Sequence, residues 1–252
     1  MKSTYPSRAD APVVVFVVVV LAISNILVNR VLPAWSYVPW NVAVAALVVM
    51  IGVLTTPVGR LGLARWRSGA RWGIVVAAVV VAGYLLAAAL PATRQVFDDR
   101  RVDGGWEFLV YHAVVRIPLG TVLLEELAFR AVLPALLSSC HFGSARSDRS
   151  EMTEPNPGRD MYRGVLVASL LFGLWHVLPA WEVNEANPVL GDAFGNDGLG
   201  QAATVVLAVL GTFVAGLGLC ALRYWSGSVL APILVHVTTN STAYALAWQL
   251  GS

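Results

Sequence analysis

Leu123-Leu-Glu125-Glu126-Leu-Ala-Phe-Arg130-Ala-Val-Leu133 sets two adjacent carboxylic acids and an arginine inside a run that otherwise reads as a membrane helix. An ionisable side chain at the centre of a bilayer costs roughly 2.5–3.5 kcal/mol even on lenient insertion scales, so such a cluster belongs where other helices or a wet cavity receive it. The rest of the sequence should therefore supply partners for these groups.

The surrounding chain is apolar enough for a membrane. Hydrophobic residues make up 57% of it, charged residues 13%, and the mean hydropathy is +0.69; a soluble domain carries about 25% charged residues. Spans of about 20 apolar residues fit at 12–32, 38–58, 71–90, within 106–139, and at 161–180, 199–222 and 229–250. The expectation is an all-α polytopic helix bundle of about seven spans, eight if Pro118 splits the long fourth segment. The positive-inside rule supports that count. Lys2 and Arg8 precede the first span, Arg60, Arg65, Arg67 and Arg71 fill the second loop, and Arg223 follows the sixth span. The intervening loops lack a basic excess, and 181–197 holds Glu182, Glu185, Asp192 and Asp197 with no Lys or Arg. This places the N-terminus in the cytoplasm and the C-terminus outside, with the first apolar run read as an uncleaved span because no small-residue cleavage site follows it.

The organisation reads as one membrane domain over 1–252, in which the spans of 1–104 carry no motif and 105–252 holds the chemistry. Residues 141–160 and 184–200 are polar excursions too short to be domains. Cys140 and Cys220 have neither a disulfide nor a metal-ligand spacing. The net charge of +2 is spread over loops and offers nucleic acid no stripe.

Three polar constellations fall in the last four spans and predict a polar cavity there. On one helix Glu126 and Arg130, four apart, share a face, while Glu125 points about 100° away. Adjacent acids in different surroundings can take different roles, although the spacing alone does not rank Glu125 over Glu126. The fifth span places Phe172 and His176 one turn apart, and the seventh does the same with His236 and Asn240. Two donors aimed into one space suit a developing oxyanion. Each residue taken singly also fits plain hydrogen bonding between helices; a candidate base, an orienting pair and oxyanion donors on three spans together match the parts needed for water-mediated acyl transfer.

These residues stand as Glu125-Glu126-Leu-Ala-Phe-Arg130, Phe172-Gly-Leu-Trp-His176 and His236-Val-Thr-Thr-Asn240. In order and spacing they resemble the EExxxR, FxxxH and HxxxN motifs of the CPBP family of intramembrane glutamic endopeptidases, which includes the Rce1-type CAAX proteases and the bacterial Abi proteins. The resemblance covers roughly 119–244; Ala131 stands where glycine commonly follows the motif arginine. It implies that Glu125 and His176 activate a water, that His236 and Asn240 stabilise the oxyanion, and that Glu126 and Arg130, with Phe172, support the site. It implies no cofactor and a membrane-associated peptide or protein substrate, and the Arg-heavy, Lys-poor composition suits a bacterial cell membrane.

Two other readings compete. A zinc-dependent membrane protease would use Glu125, His176 and His236 as ligands, but the sequence lacks HExxH, which disfavours zinc. A non-catalytic immunity or scaffolding protein of the same family would keep the fold without cleaving anything. Ser169, Ser228 and Cys220 lack a GxSxG setting for a nucleophile.

Overall fold

The computed structural model describes residues 11–139 and 157–251. Among these, seven long helices follow one another: α1 (Ala11–Ile26, extended by a π-helical turn Leu27–Val31), α2 (Tyr37–Thr55), α3 (Trp66–Ala89), α4 (Trp106–Ser138), α5 (Pro157–Trp175), α6 (Gly198–Ser226) and α7 (Leu230–Gly251). Short helical turns occupy the connections. Of the polar excursion expected at 141–160, residues 141–156 lie outside the described residues and 157–160 already belong to α5.

The helices wear their apolar side chains outward as well as inward. Val15, Phe16, Leu54, Ile74, Val79, Leu86, Leu207 and Val214 are exposed, the pattern of a protein whose outer solvent is lipid. Five helical stretches are long and apolar enough to cross a membrane, and α5 and α7 fall short of the same measure. Their sequences give the reason: α5 opens with Arg159, Asp160 and Arg163, and α7 carries His236, Thr238, Thr239, Asn240, Ser241 and Thr242 in succession. Two of the three constellations lie on these two helices, and in α7 the polar run includes the motif residues His236 and Asn240 themselves.

The second half of α4 is the hub. Ala128, Phe129, Ala131, Val132, Leu133 and Leu136 pack with Val14, Val17 and Leu21 of α1, Val44 and Val48 of α2, and Ala168 and Phe172 of α5. A smaller cluster joins Leu222 of α6 and Ala231 and Val235 of α7 to Trp72 and Val76 of α3. Small residues let helices approach closely: a side chain on Gly173 of α5 would come within 2.7 Å of the Val209 carbonyl of α6, and one on Gly216 would press on Phe172 and Ser169. α6 ends at Gly227 with φ +70, a left-handed cap that glycine adopts without strain. There the chain reverses, and the Val229 N–H donates to the Gly62 carbonyl.

Pro118 neither breaks nor divides the fourth helix. It sits in a π-helical stretch, His112–Val122, whose pattern is visible where the Leu123 N–H donates to the Pro118 carbonyl, five residues back. In that pattern a residue at 118 would donate to Ala113, and proline has no N–H to give. The Ser241 hydroxyl of α7 donates to the Ala113 carbonyl instead, at 2.8 Å. Asn41 of α2 likewise donates to the Gly120 carbonyl at 2.6 Å. A second π-helical stretch, Leu127–Val132, follows the acid pair, so Glu125 and Glu126 lie on a short α-helical turn between two widened ones. Such widened turns are frequent at functional sites.

Candidate active site

Glu125, Glu126 and Arg130 are 4%, 0% and 0% exposed, so the three ionisable groups are enclosed by protein and not presented to lipid. Arg130 Nε lies 3.4 Å from Glu126 Oε2, an ion pair along one helix. Among the described residues, none of the guanidinium nitrogens finds a hydrogen-bond acceptor. The cation instead stacks on Phe172, with Cζ 3.7 Å from the ring centroid, a contact worth about 2 kcal/mol when desolvated.

His236 approaches the acid pair from α7. Its Nδ1 is 2.7 Å from Glu126 Oε1, and its Nε2 is 3.7 Å from Glu125 Oε2. An ionised carboxylate only accepts, so with Glu126 ionised the ring N–H sits on Nδ1. The indole N–H of Trp175 donates to the other Glu125 oxygen, Oε1, at 2.9 Å. Each carboxylate therefore has its own surroundings: Glu126 lies between Arg130 and His236, and Glu125 between Trp175 and His236.

His176 stands at the C-terminal edge of α5. Its Nδ1 is 2.8 Å from the Phe172 carbonyl, and its ring meets Phe172 edge to face at 4.6 Å. Phe172 also presents its ring to His236 at 6.0 Å and 89° and to Phe129 at 5.4 Å. One aromatic ring thus touches both imidazoles and the arginine. No direct hydrogen bond or ion pair joins Glu125 to His176.

A cavity of about 760 Å³ opens beside these groups, lined by Phe172, His176, His236 and Asn240 and otherwise mainly by apolar residues of α3, α6 and α7, among them Val76, Leu219 and Trp225. Asn240 also borders a second cavity of about 330 Å³, whose polar wall includes Asp99, Asn187 and Tyr244. The histidines, the asparagine and the phenylalanine singled out from sequence are thus brought to one space, with the acid pair behind His236. Among the described residues, no group of three His, Cys, Asp or Glu side chains is arranged to hold a metal ion.

The sequence reading overlooked three residues that structure this site. Trp175 holds Glu125, and Asn41 and Ser241 satisfy carbonyls of the helix that carries it. A signal was present, because a tryptophan or asparagine inside a span must find a partner for its N–H.

No curated protein and no solved structure matches the chain. A family model does: that of the type II CAAX prenyl endopeptidases, Rce1-like, matches residues 106–242. That is more than half of the 252 residues, and every motif residue from Glu125 to Asn240 lies within it. The chain accordingly belongs to the Rce1-like type II CAAX prenyl endopeptidase family.

Proposed function

We propose that the protein is an intramembrane endopeptidase that hydrolyses a peptide bond of a membrane-associated substrate with a water activated by Glu125 and His176. The observation that carries this reading is the convergence of three separate helices: His176 of α5 and His236 with Asn240 of α7 line one cavity, and the acid pair of α4 lies directly behind His236. A water between Glu125 and His176 gives a proton to the carboxylate as its oxygen adds to the scissile carbonyl. Asn240 and protonated His236, donating from Nε2, receive the negative charge that develops on the carbonyl oxygen. Collapse of the intermediate breaks the C–N bond, and the proton passes to the departing amine. Glu126 holds His236 through Nδ1, and Arg130 holds Glu126. The largely apolar walls of the larger cavity suit a hydrophobic peptide, and the polar cavity that shares Asn240 offers water a route.

The same reading places the N-terminus in the cytoplasm, the C-terminus outside and the protein in a bacterial cell membrane. Its support is the gathering of arginines at one end of the bundle, where Arg223 donates to the Arg60 carbonyl and the Arg65 side chain lies against Gly227. Basic residues concentrate on the cytoplasmic side of membrane proteins.

The test of the activity is incubation of purified protein with membrane-anchored or C-terminally lipidated peptides, comparing wild type with Glu125→Ala and His176→Ala. Cleavage by the wild type alone is expected. No cleavage by any form, or equal cleavage by all three, sinks the mechanism. Activity lost to a chelator and restored by zinc would replace it with metal chemistry.

A further inference from the structure

Among the described residues, Glu125 has one direct hydrogen-bond donor, the Trp175 indole, at 2.9 Å. An indole nitrogen donates and never accepts, so inside apolar packing it requires an acceptor, and this carboxylate is the one it has. With Oε1 so engaged, Oε2 is left facing His236 Nε2. The terminal torsion of a glutamate is broad and nearly two-fold; without the indole only the longer contact with His236 Nε2, at 3.7 Å, bears on which way the carboxylate lies.

Trp175 is itself fixed from two sides. Its ring stands edge-on to Phe129 at 5.7 Å. Its backbone carbonyl lies at the last residue of α5, where helical donors run out, and it accepts instead from Asn25 Nδ2 of α1 at 2.9 Å. Asn25 is 8% exposed, and its own Oδ1 accepts from Asn29 at 2.7 Å. This puts a residue of the first span, outside the stretch that the family model matches, two steps from the acid pair.

We infer that Trp175 is a positioning residue whose indole N–H fixes the Glu125 carboxylate for catalysis, and that Asn25 on α1 holds Trp175 in place; the inference rests on the reading of Glu125 as the base. Nothing in the sequence motifs marks either residue. The first span is then part of the catalytic arrangement and not merely an anchor.

The experiment has two arms that fail separately. In the first, indole-¹⁵N-labelled protein in detergent micelles is examined by NMR, with Trp175→Phe identifying the Trp175 signal among the 9 tryptophans. The expected signal is shifted downfield and slow to exchange, and both Glu125→Ala and Asn25→Leu move it. A signal indifferent to Glu125→Ala overturns the inference. In the second, Trp175→Phe lowers kcat about 10- to 100-fold, the worth of one hydrogen bond to a charged group, while KM and the melting temperature stay at wild-type values. An unchanged kcat, or a loss that follows the melting temperature, reduces Trp175 to packing and overturns the inference as well. If the wild type cleaves no peptide, the proteolytic reading falls, and the indole signal alone then decides whether Trp175 holds Glu125.

Discussion

The ion pair of Glu126 with Arg130 and the bond of Glu126 to His236 give this carboxylate a structural load that Glu125 does not carry. Removing one partner of an enclosed ion pair costs about 3–5 kcal/mol, because it strands the other charge. Arg130→Ala should therefore lower the melting temperature in detergent sharply. Glu125→Gln, which keeps an acceptor for Trp175, should melt near wild type and yet be inactive; equal melting temperatures for the two variants would contradict this division. A second acid reports on the loop end of the bundle. Burial raises the pKa of Asp99, but hydrogen bonds from the Arg101 side chain and backbone, together with its charge, outweigh burial and leave the carboxyl below its ordinary 3.8. For an acid lowered in this way, the stabilisation is complete above the unfolded value and is lost as pH falls through the folded one. Hydrogen exchange at the Arg101 amide, which donates to Asp99, should thus stay protected down to pH values just above 3.8 and lose protection below it. Asp99→Asn should remove that pH dependence, and a response centred near neutrality would assign it to another group.

At the scale of elements, the junction of α4 with α7 turns on a missing donor. Ser241→Ala removes the hydroxyl that donates to the Ala113 carbonyl and should cost about 0.5–1.5 kcal/mol, the net worth of one hydrogen bond. In a Pro118→Ala background the helix regains its own N–H, and the same serine substitution should cost measurably less. Additive losses in this double-mutant cycle, read from thermal or denaturant unfolding, would show that the two sites act independently. The sequence disclosed the existence of the seven helices because hydropathy over 20 residues is a strong signal. It disclosed which polar residues of one helix stand together, as Glu126 and Arg130 do, because residues four apart share a face. It could not disclose the course of residues 106–139, where a proline in an apolar run suggests a kink and the partner that removes the need for one lies more than 120 residues away. Nor could it show that His236 is the imidazole that bonds the acid pair, since Glu125 and His176 were paired by resemblance and not by reach.

Across the whole molecule, the acid pair is enclosed by helices from both halves of the sequence, and α1 and α2 join the same core as the motif-bearing ones. The proposed orientation can be read directly: cysteines placed at Arg67 and at Asn196 in a chain lacking Cys140 and Cys220 should react with a membrane-impermeant thiol reagent from opposite sides, Asn196 from outside in intact cells and Arg67 only after lysis. Labelling of both in intact cells, or the reverse pattern, would turn the assignment over. The carbonyl that Pro118 leaves open carries a consequence for biogenesis. A chain is made from its N-terminus, so Asn41 already waits when Gly120 enters the bilayer, whereas Ser241 arrives with the final span. Until then α4 lacks the hydroxyl that donates to the Ala113 carbonyl in the finished bundle. Nascent chains stopped short of the last helix should be held open in this way and recognised as unfinished, so that the last helix to be made is also the one that closes the assembly.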